Sequence, residues 1–151
     1  MKTKETLVFV YGTLQKEEGN HHVMGHAKYL HDAVTVDDFH LLHSMNPIYG
    51  KGFPIAIDSN GEDAVFTAEL MTKIKGEVYS INQKDLANVR RLEGYPNWYD
   101  EKEITVCTSK GVYVKAIIYV QTPEKIHDGQ ELYFNLDGDF SDSWNIKTII
   151  N

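Results

Sequence analysis

A single cysteine, Cys107, rules out an intrachain disulfide. It lies between Val106 and Thr108 in an alternating stretch, where a thiol is expected to act as a small buried hydrophobe. A reducing, cytoplasmic setting fits. Cations are also scarce: 15 Lys and Arg face 22 Asp and Glu, the net charge is −7, and the cationic runs are no longer than pairs such as Arg90-Arg91. Nucleic acid is therefore not expected as a partner, because its phosphates require a concentrated positive surface. Long apolar runs are missing as well. The run from Leu7 to Tyr11 is too short for the core of a signal peptide, and no run approaches the roughly 20 residues that span a bilayer. The expectation is a soluble chain with no membrane partner. No internal repeat, low-complexity tract or Gly-x-Ser-x-Gly elbow is present, and Cys107 has no second reactive thiol beside it, so covalent catalysis lacks an obvious agent.

What is present suits one globular unit over residues 1–151, with 42% hydrophobic residues to build a core. Leu7 to Tyr11 is apolar, β-branched and aromatic, and Gly12 ends it, which predicts a buried first strand entering a turn. Lys16 to His31 predicts a loop with a short helical turn around Val23 to Leu30. Ala33 to His43 alternates as one strand, and Phe53 to Ile57 follows as another, with Pro54 placing it at a sheet edge or a strand start. Ser59 to Asp63 reads as a hairpin-type turn, and strands at Ala64 to Met71 and Ile74 to Ile81 follow it, with Gly76 as a bulge. The period then changes. Asn82 is a good N-cap, Leu86, Val89 and Leu92 recur every three residues, and Gly94 can close the C-terminus, so a helix is predicted from about Gln83 to Leu92. Glu103 to Thr108 and Val112 to Gln121 form a hairpin about Ser109-Lys110-Gly111, and the last thirty residues carry few periodic signals. The class is α+β, a mixed sheet or small barrel around one clear helix.

Three groups of residues invite chemistry. His22 and His26 would share a face if their loop were helical, and His21 is adjacent, but there is no neighbouring Glu, no third ligand, and Gly25 opposes a helix; no metal site is expected. Tyr11-Gly12-Thr13-Leu14 ends a buried strand in a turn whose successive N–H groups could cradle an anion or an oxyanion, although Gly12 could equally serve an ordinary turn. Leu92-Glu93-Gly94-Tyr95-Pro96-Asn97-Trp98-Tyr99 sets a carboxylate at the negative end of a helix among three aromatic residues. Both features disfavour its charge and raise its pKa toward the range of proton transfer, whereas the plainer alternative is an exposed Glu closing a surface helix.

With these motifs in order, the sequence resembles the gamma-glutamylcyclotransferase-like family, also described as the AIG2-like or BtrG-like fold. The matching pieces are Tyr11-Gly12-Thr13-Leu14, Gly19-Asn20-His21, Phe53-Pro54-Ile55-Ala56-Ile57, Lys75-Gly76-Glu77-Val78-Tyr79, Leu92-Glu93-Gly94-Tyr95-Pro96 with Tyr99, and Ala116 to Val120. The resemblance implies a small mixed-strand β-barrel with flanking helices and a cavity at one end. It further implies Glu93 as catalytic acid-base, Tyr11, Gly12, Thr13 and Leu14 with Tyr99 as the substrate site, and a small gamma-glutamyl compound as substrate. Neither metal nor organic cofactor is implied. In such enzymes the substrate's own α-amine attacks its gamma-amide, giving 5-oxoproline and a free amine. One departure is visible: relatives often carry a basic residue two positions after the tyrosine matched to Tyr99, and Glu101 stands there, followed by Lys102. A silent binding module on the same fold and a relative acting on macromolecular gamma-glutamyl groups are the alternatives.

Overall fold

The computed structural model describes residues 5–12, 21–44, 53–57, 71–95, 97, 99–121 and 132–134. In it the first apolar run becomes β1 (Glu5–Val10), with Tyr11 just beyond its end. The run is continuously apolar because both of its faces are covered. Phe9 and Tyr11 face one core and Val8 and Val10 another. The same split holds on β6 (Lys75–Asn82) and β8 (Tyr113–Val120): Val78, Ile118 and Val120 join Phe9, while Tyr79, Ile81 and Tyr119 join Val8.

Five strands close a barrel in the order β1, β6, β2 (Lys28–Thr35), β7 (Asp100–Thr108), β8. All neighbours are antiparallel except β1 and β8, which pair in parallel at Val8 and Ile117, so the barrel is mixed. The first core draws on all five strands and therefore fills the barrel. Beside it lies a smaller sheet in which β3 (Phe39–Ser44) pairs with β4 (Phe53–Ile57), β5 (Met71–Thr72) and β9 (Leu132–Phe134). Phe39, Leu41 and Ala56 of that sheet extend the barrel core. Pro54 sits on β4, at the end of the strand order β4-β3-β5, where a missing N–H is tolerated.

The helix α1 (Gln83–Glu93) follows from its ends. Asn82 accepts the Asp85 N–H at 2.8 Å, and Gly94 is left-handed at φ 66°, with N–H bonds back to the last turn. Leu86 and Val89 seal the second core against Met24 of a 3-10 turn (His21–Met24), but Leu92 is exposed. Asp85 is buried in place of a third apolar residue because its carboxylate accepts the His26 backbone N–H at 3.0 Å.

Several expectations need correction. The helical turn lies at His21–Met24, and residues 28–30 belong to β2. The single strand expected over 33–43 is two, because Thr35 turns the chain: its hydroxyl donates to Asp37 O at 2.8 Å and accepts from Ile74 N at 2.8 Å. Gly76 is not a bulge; it pairs regularly with Ala33, and the register shift lies between Tyr29 and His31. Its lack of a side chain serves close packing, since a Cβ there would come within 2.3 Å of Val10 O. Cys107 is half-buried on the outer side of β7 instead of fully buried. The C-terminal stretch, with its few periodic signals, supplies β9. The turn at Ser59 to Asp63 and residues 64–70 of the strand expected after it lie outside the described residues. Among the described residues no helix is long and apolar enough to cross a membrane.

Candidate functional site

Strand direction decides what meets at one end of the barrel. Because β1 and β8 are parallel, Tyr11 and the Tyr119-Val120-Gln121 end of β8 lie together, and antiparallel β7 brings its first residue, Asp100, opposite Val120. Tyr99 precedes Asp100, and α1 ends six residues earlier at Glu93. The backbone ties them: Tyr99 N–H donates to Glu93 O at 3.2 Å.

Tyr11 is buried at the meeting point of both sheets. Its hydroxyl donates to Tyr119 O at 2.7 Å and accepts the Ala56 N–H at 3.1 Å, which locks the phenol between β8 and β4. Its ring stacks on Phe9 at a centroid distance of 6.5 Å. Burial pushes the phenol well above its ordinary range, the Ala56 bond opposes this, and the charge of Glu93 adds to it. Tyr99 is also raised, by burial first and then by Tyr11 and Glu93. Tyr119 is raised by burial, by its bond to Glu101 and, more weakly, by Glu93. One carboxylate is therefore felt by three buried phenols.

Glu93 itself is pushed up to about 7 by burial. A carboxyl at that value exchanges protons readily near neutrality. The residue as a whole is half-buried, so the carboxyl is sunk while the rest of the turn keeps contact with solvent. Its aromatic surround differs from the expected one. Tyr99 is in place, but Tyr95 is exposed, with the Arg90 guanidinium 5.5 Å from its ring centroid, and Tyr11 and Tyr119 take its part. Trp98, Thr13 and Leu14 lie outside the described residues; Gly12 directly follows Tyr11 and is half-buried.

Sequence reading missed an ion pair beside this group. Arg90, on the last turn of α1, grips Glu101 of β7 with both Nε and Nη2, the latter at 3.0 Å, and Tyr119 Oη donates to the same carboxylate at 2.7 Å. Burial works against the charge of Glu101, but bonds from Arg90 and Tyr119 outweigh it and hold its pKa below the ordinary value. The unusual acid at position 101 is thus matched by a base on the facing helix. The signal available in the sequence was the pairing of Arg90 with the departure at Glu101, but only the fold reveals their contact.

His21 packs its ring 5.7 Å from that of Tyr79, and the His26 backbone is held by Asp85. Among the described residues no group of three or more His, Cys, Asp or Glu is arranged to hold a metal ion. A surface hollow of about 390 Å³ lies between the 3-10 turn and α1, lined by His22, Asn88 and Arg91 among others, and contains none of the expected site residues.

The sequence model of the family described as "Gamma-glutamyl cyclotransferase, AIG2-like" matches residues 8–142. A Drosophila melanogaster protein named as a candidate gamma-glutamylcyclotransferase is 30% identical over 118 residues, 75% of this chain and 68% of the relative. Gamma-glutamylaminecyclotransferase C of Danio rerio is 28% identical over 109 residues, 69% of this chain and 64% of the relative. Among solved structures, an AIG2-like protein of Mus musculus superposes with a TM-score of 0.70 at 19% identity, covering 96% of this chain and 93% of its own. That likeness concerns the fold, and the expected mixed barrel is the fold found. From the family match over most of its length, the chain belongs to the AIG2-like gamma-glutamyl cyclotransferase family.

Proposed function

We propose that the chain is a gamma-glutamyl cyclotransferase acting on a small gamma-glutamyl amine or gamma-glutamyl amino acid, with Glu93 as the acid-base group. What supports this reading is the position of Glu93, at the end of α1 with its backbone bonded to Tyr99, near the barrel end where Tyr11 bonds Tyr119 O, together with the burial that raises its carboxyl to about 7. Ionised Glu93 takes a proton from the substrate's α-ammonium group. The freed amine nitrogen attacks the gamma-carbonyl carbon, a C–N bond forms, and the carbonyl oxygen becomes an oxyanion. Collapse of that intermediate breaks the old amide bond while Glu93 returns its proton to the leaving nitrogen; the second proton of the attacking nitrogen then passes through Glu93 to the freed amine, which departs as an ammonium. The products are 5-oxoproline and a free amine, and Glu93 ends as it began.

Because the nucleophile belongs to the substrate, holding the gamma-glutamyl chain folded supplies much of the acceleration. The buried Tyr11 frame fixes the start of the Tyr11 to Leu14 segment, to which we assign the N–H groups that meet the developing oxyanion. Tyr99, tied to the Glu93 backbone, would form the other wall. The test is release of 5-oxoproline from a panel of gamma-glutamyl amines, gamma-glutamyl amino acids and gamma-glutamyl groups on protein crosslinks. Turnover of a small member supports the reading; turnover of crosslinks alone would move the substrate to macromolecules, and no turnover with retained product binding would leave a binding module.

A further inference from the structure

Among the described residues, one buried side-chain atom lacks a hydrogen-bond partner: Nε2 of Gln121, in a residue only 1% exposed. A buried amide N–H without an acceptor costs enough that such groups generally mark a missing partner. Its position says which. Gln121 N–H donates to Ala56 O at 2.8 Å, and Ala56 N–H donates in turn to the Tyr11 hydroxyl at 3.1 Å, so a single residue, Ala56, links the Gln121 backbone to the locked phenol. On its other side the β7–β8 ladder pairs Asp100 with Val120, and one step further that register sets Gln121 opposite Tyr99, whose backbone is bonded to Glu93. The residue that carries the unpartnered amide therefore lies at the barrel end that gathers Tyr11, Tyr99 and Glu93.

We infer that the Gln121 carboxamide is a substrate-binding donor, its Nε2–H reaching an acceptor oxygen of the gamma-glutamyl group that persists in 5-oxoproline. This rests on the cyclotransferase reading and adds to it a recognition residue outside the expected site. A neutral donor suits the place. Of the two cations on the last turn of α1, Arg90 is engaged by Glu101 and Arg91 donates to Asn88 Oδ1 at 3.0 Å, and a further cation close to Glu93 would favour its ionised form and cost it the proton exchange near neutrality. A carboxamide binds the oxygen without that effect. In the free protein its N–H is left without a partner, and bound substrate would supply one.

The test is calorimetric binding of 5-oxoproline to the parent, to Gln121→Met and to Gln121→Glu, with the unliganded thermal midpoint of each. The methionine keeps the volume and removes the donor; the glutamate keeps an oxygen and replaces the N–H. Loss of a hydrogen bond to a charged or strongly polar acceptor predicts roughly 10- to 100-fold weaker binding in both. The Met variant removes Oε1 as well as the unpartnered Nε2, so its unliganded midpoint is the control for any structural loss on the acceptor side. The inference is overturned if the Met variant binds within a few-fold of the parent, or if both variants lose affinity only in step with a lower midpoint. A parent that neither binds nor releases 5-oxoproline removes the cyclotransferase reading and this inference with it, whereas a competent parent with unaffected variants removes the inference alone.

Discussion

A carboxylate closing a helix has two reasons to resist ionisation, the negative end of the helix dipole and the loss of water, and at Glu93 burial is the cause that raises it to about 7. Its place was legible because Glu93, Gly94 and Tyr99 sit within seven residues of one another, so local rules reach them all. Tyr119 and Gln121 could not be read in the same way. They reach the site only through the β7–β8 register and the contact of β4 with Gln121, which join residues far apart in the chain. Cys107 makes the opposite case. It is half-buried near the end of β7, and Asp100, at the strand's other end, is the residue that follows Tyr99. Replacing Cys107 by Ser or Ala should therefore leave turnover largely intact, as measured by 5-oxoproline release. A thiol reagent that abolished activity only when Cys107 is present, with the fold retained, would count against this.

Among elements, α1 was the most completely readable because its start, stop and inner face depend on nearby residues: Asn82 caps it, Gly94 closes it, and Leu86 and Val89 are buried. Leu92 misled the three-residue pattern because a helix of about 3.6 residues per turn carries position 92 away from the buried face of Leu86 and Val89, and it is exposed. The break between β2 and β3 was hidden for a different reason. Alternation continues through Val34 and Val36, but the tertiary bond from Ile74 N to the Thr35 hydroxyl sets the turn, and Val36 is exposed. Likewise β9 is too short for a periodic signal and exists through pairing with β3. At Gly94 the left-handed φ makes a clear prediction: Gly94→Ala should cost about 1 kcal/mol of stability in a urea titration. An unchanged midpoint would mean that the turn relaxes freely, and that Glu93 is less firmly placed than the cap suggests.

For the molecule as a whole, the raised Glu93 links stability to pH. The folded value of about 7 exceeds the ordinary 4.5, so the folded state holds this proton more tightly than the unfolded chain does. The stabilisation is complete below the ordinary value and is lost as pH rises through about 7. Glu93→Gln, which cannot ionise, should therefore match or exceed the parent's stability above that pH, by up to about 3 kcal/mol. A variant less stable than the parent there would show that the charge is compensated. Burial creates this cost, and the proposed chemistry uses it.

The most direct measurement is the pH–rate profile of 5-oxoproline release by the parent and by Glu93→Gln, with 5-oxoproline binding as the control for an intact pocket. The parent's kcat/KM should rise with pH through about 7, as the base loses its proton in the free enzyme. The Gln variant should bind product, turn over roughly 100- to 10,000-fold more slowly, and lack that limb. A Glu93→Gln protein that turned over within a few-fold of the parent, with the same rising limb, would contradict the account and assign the proton transfer to another group.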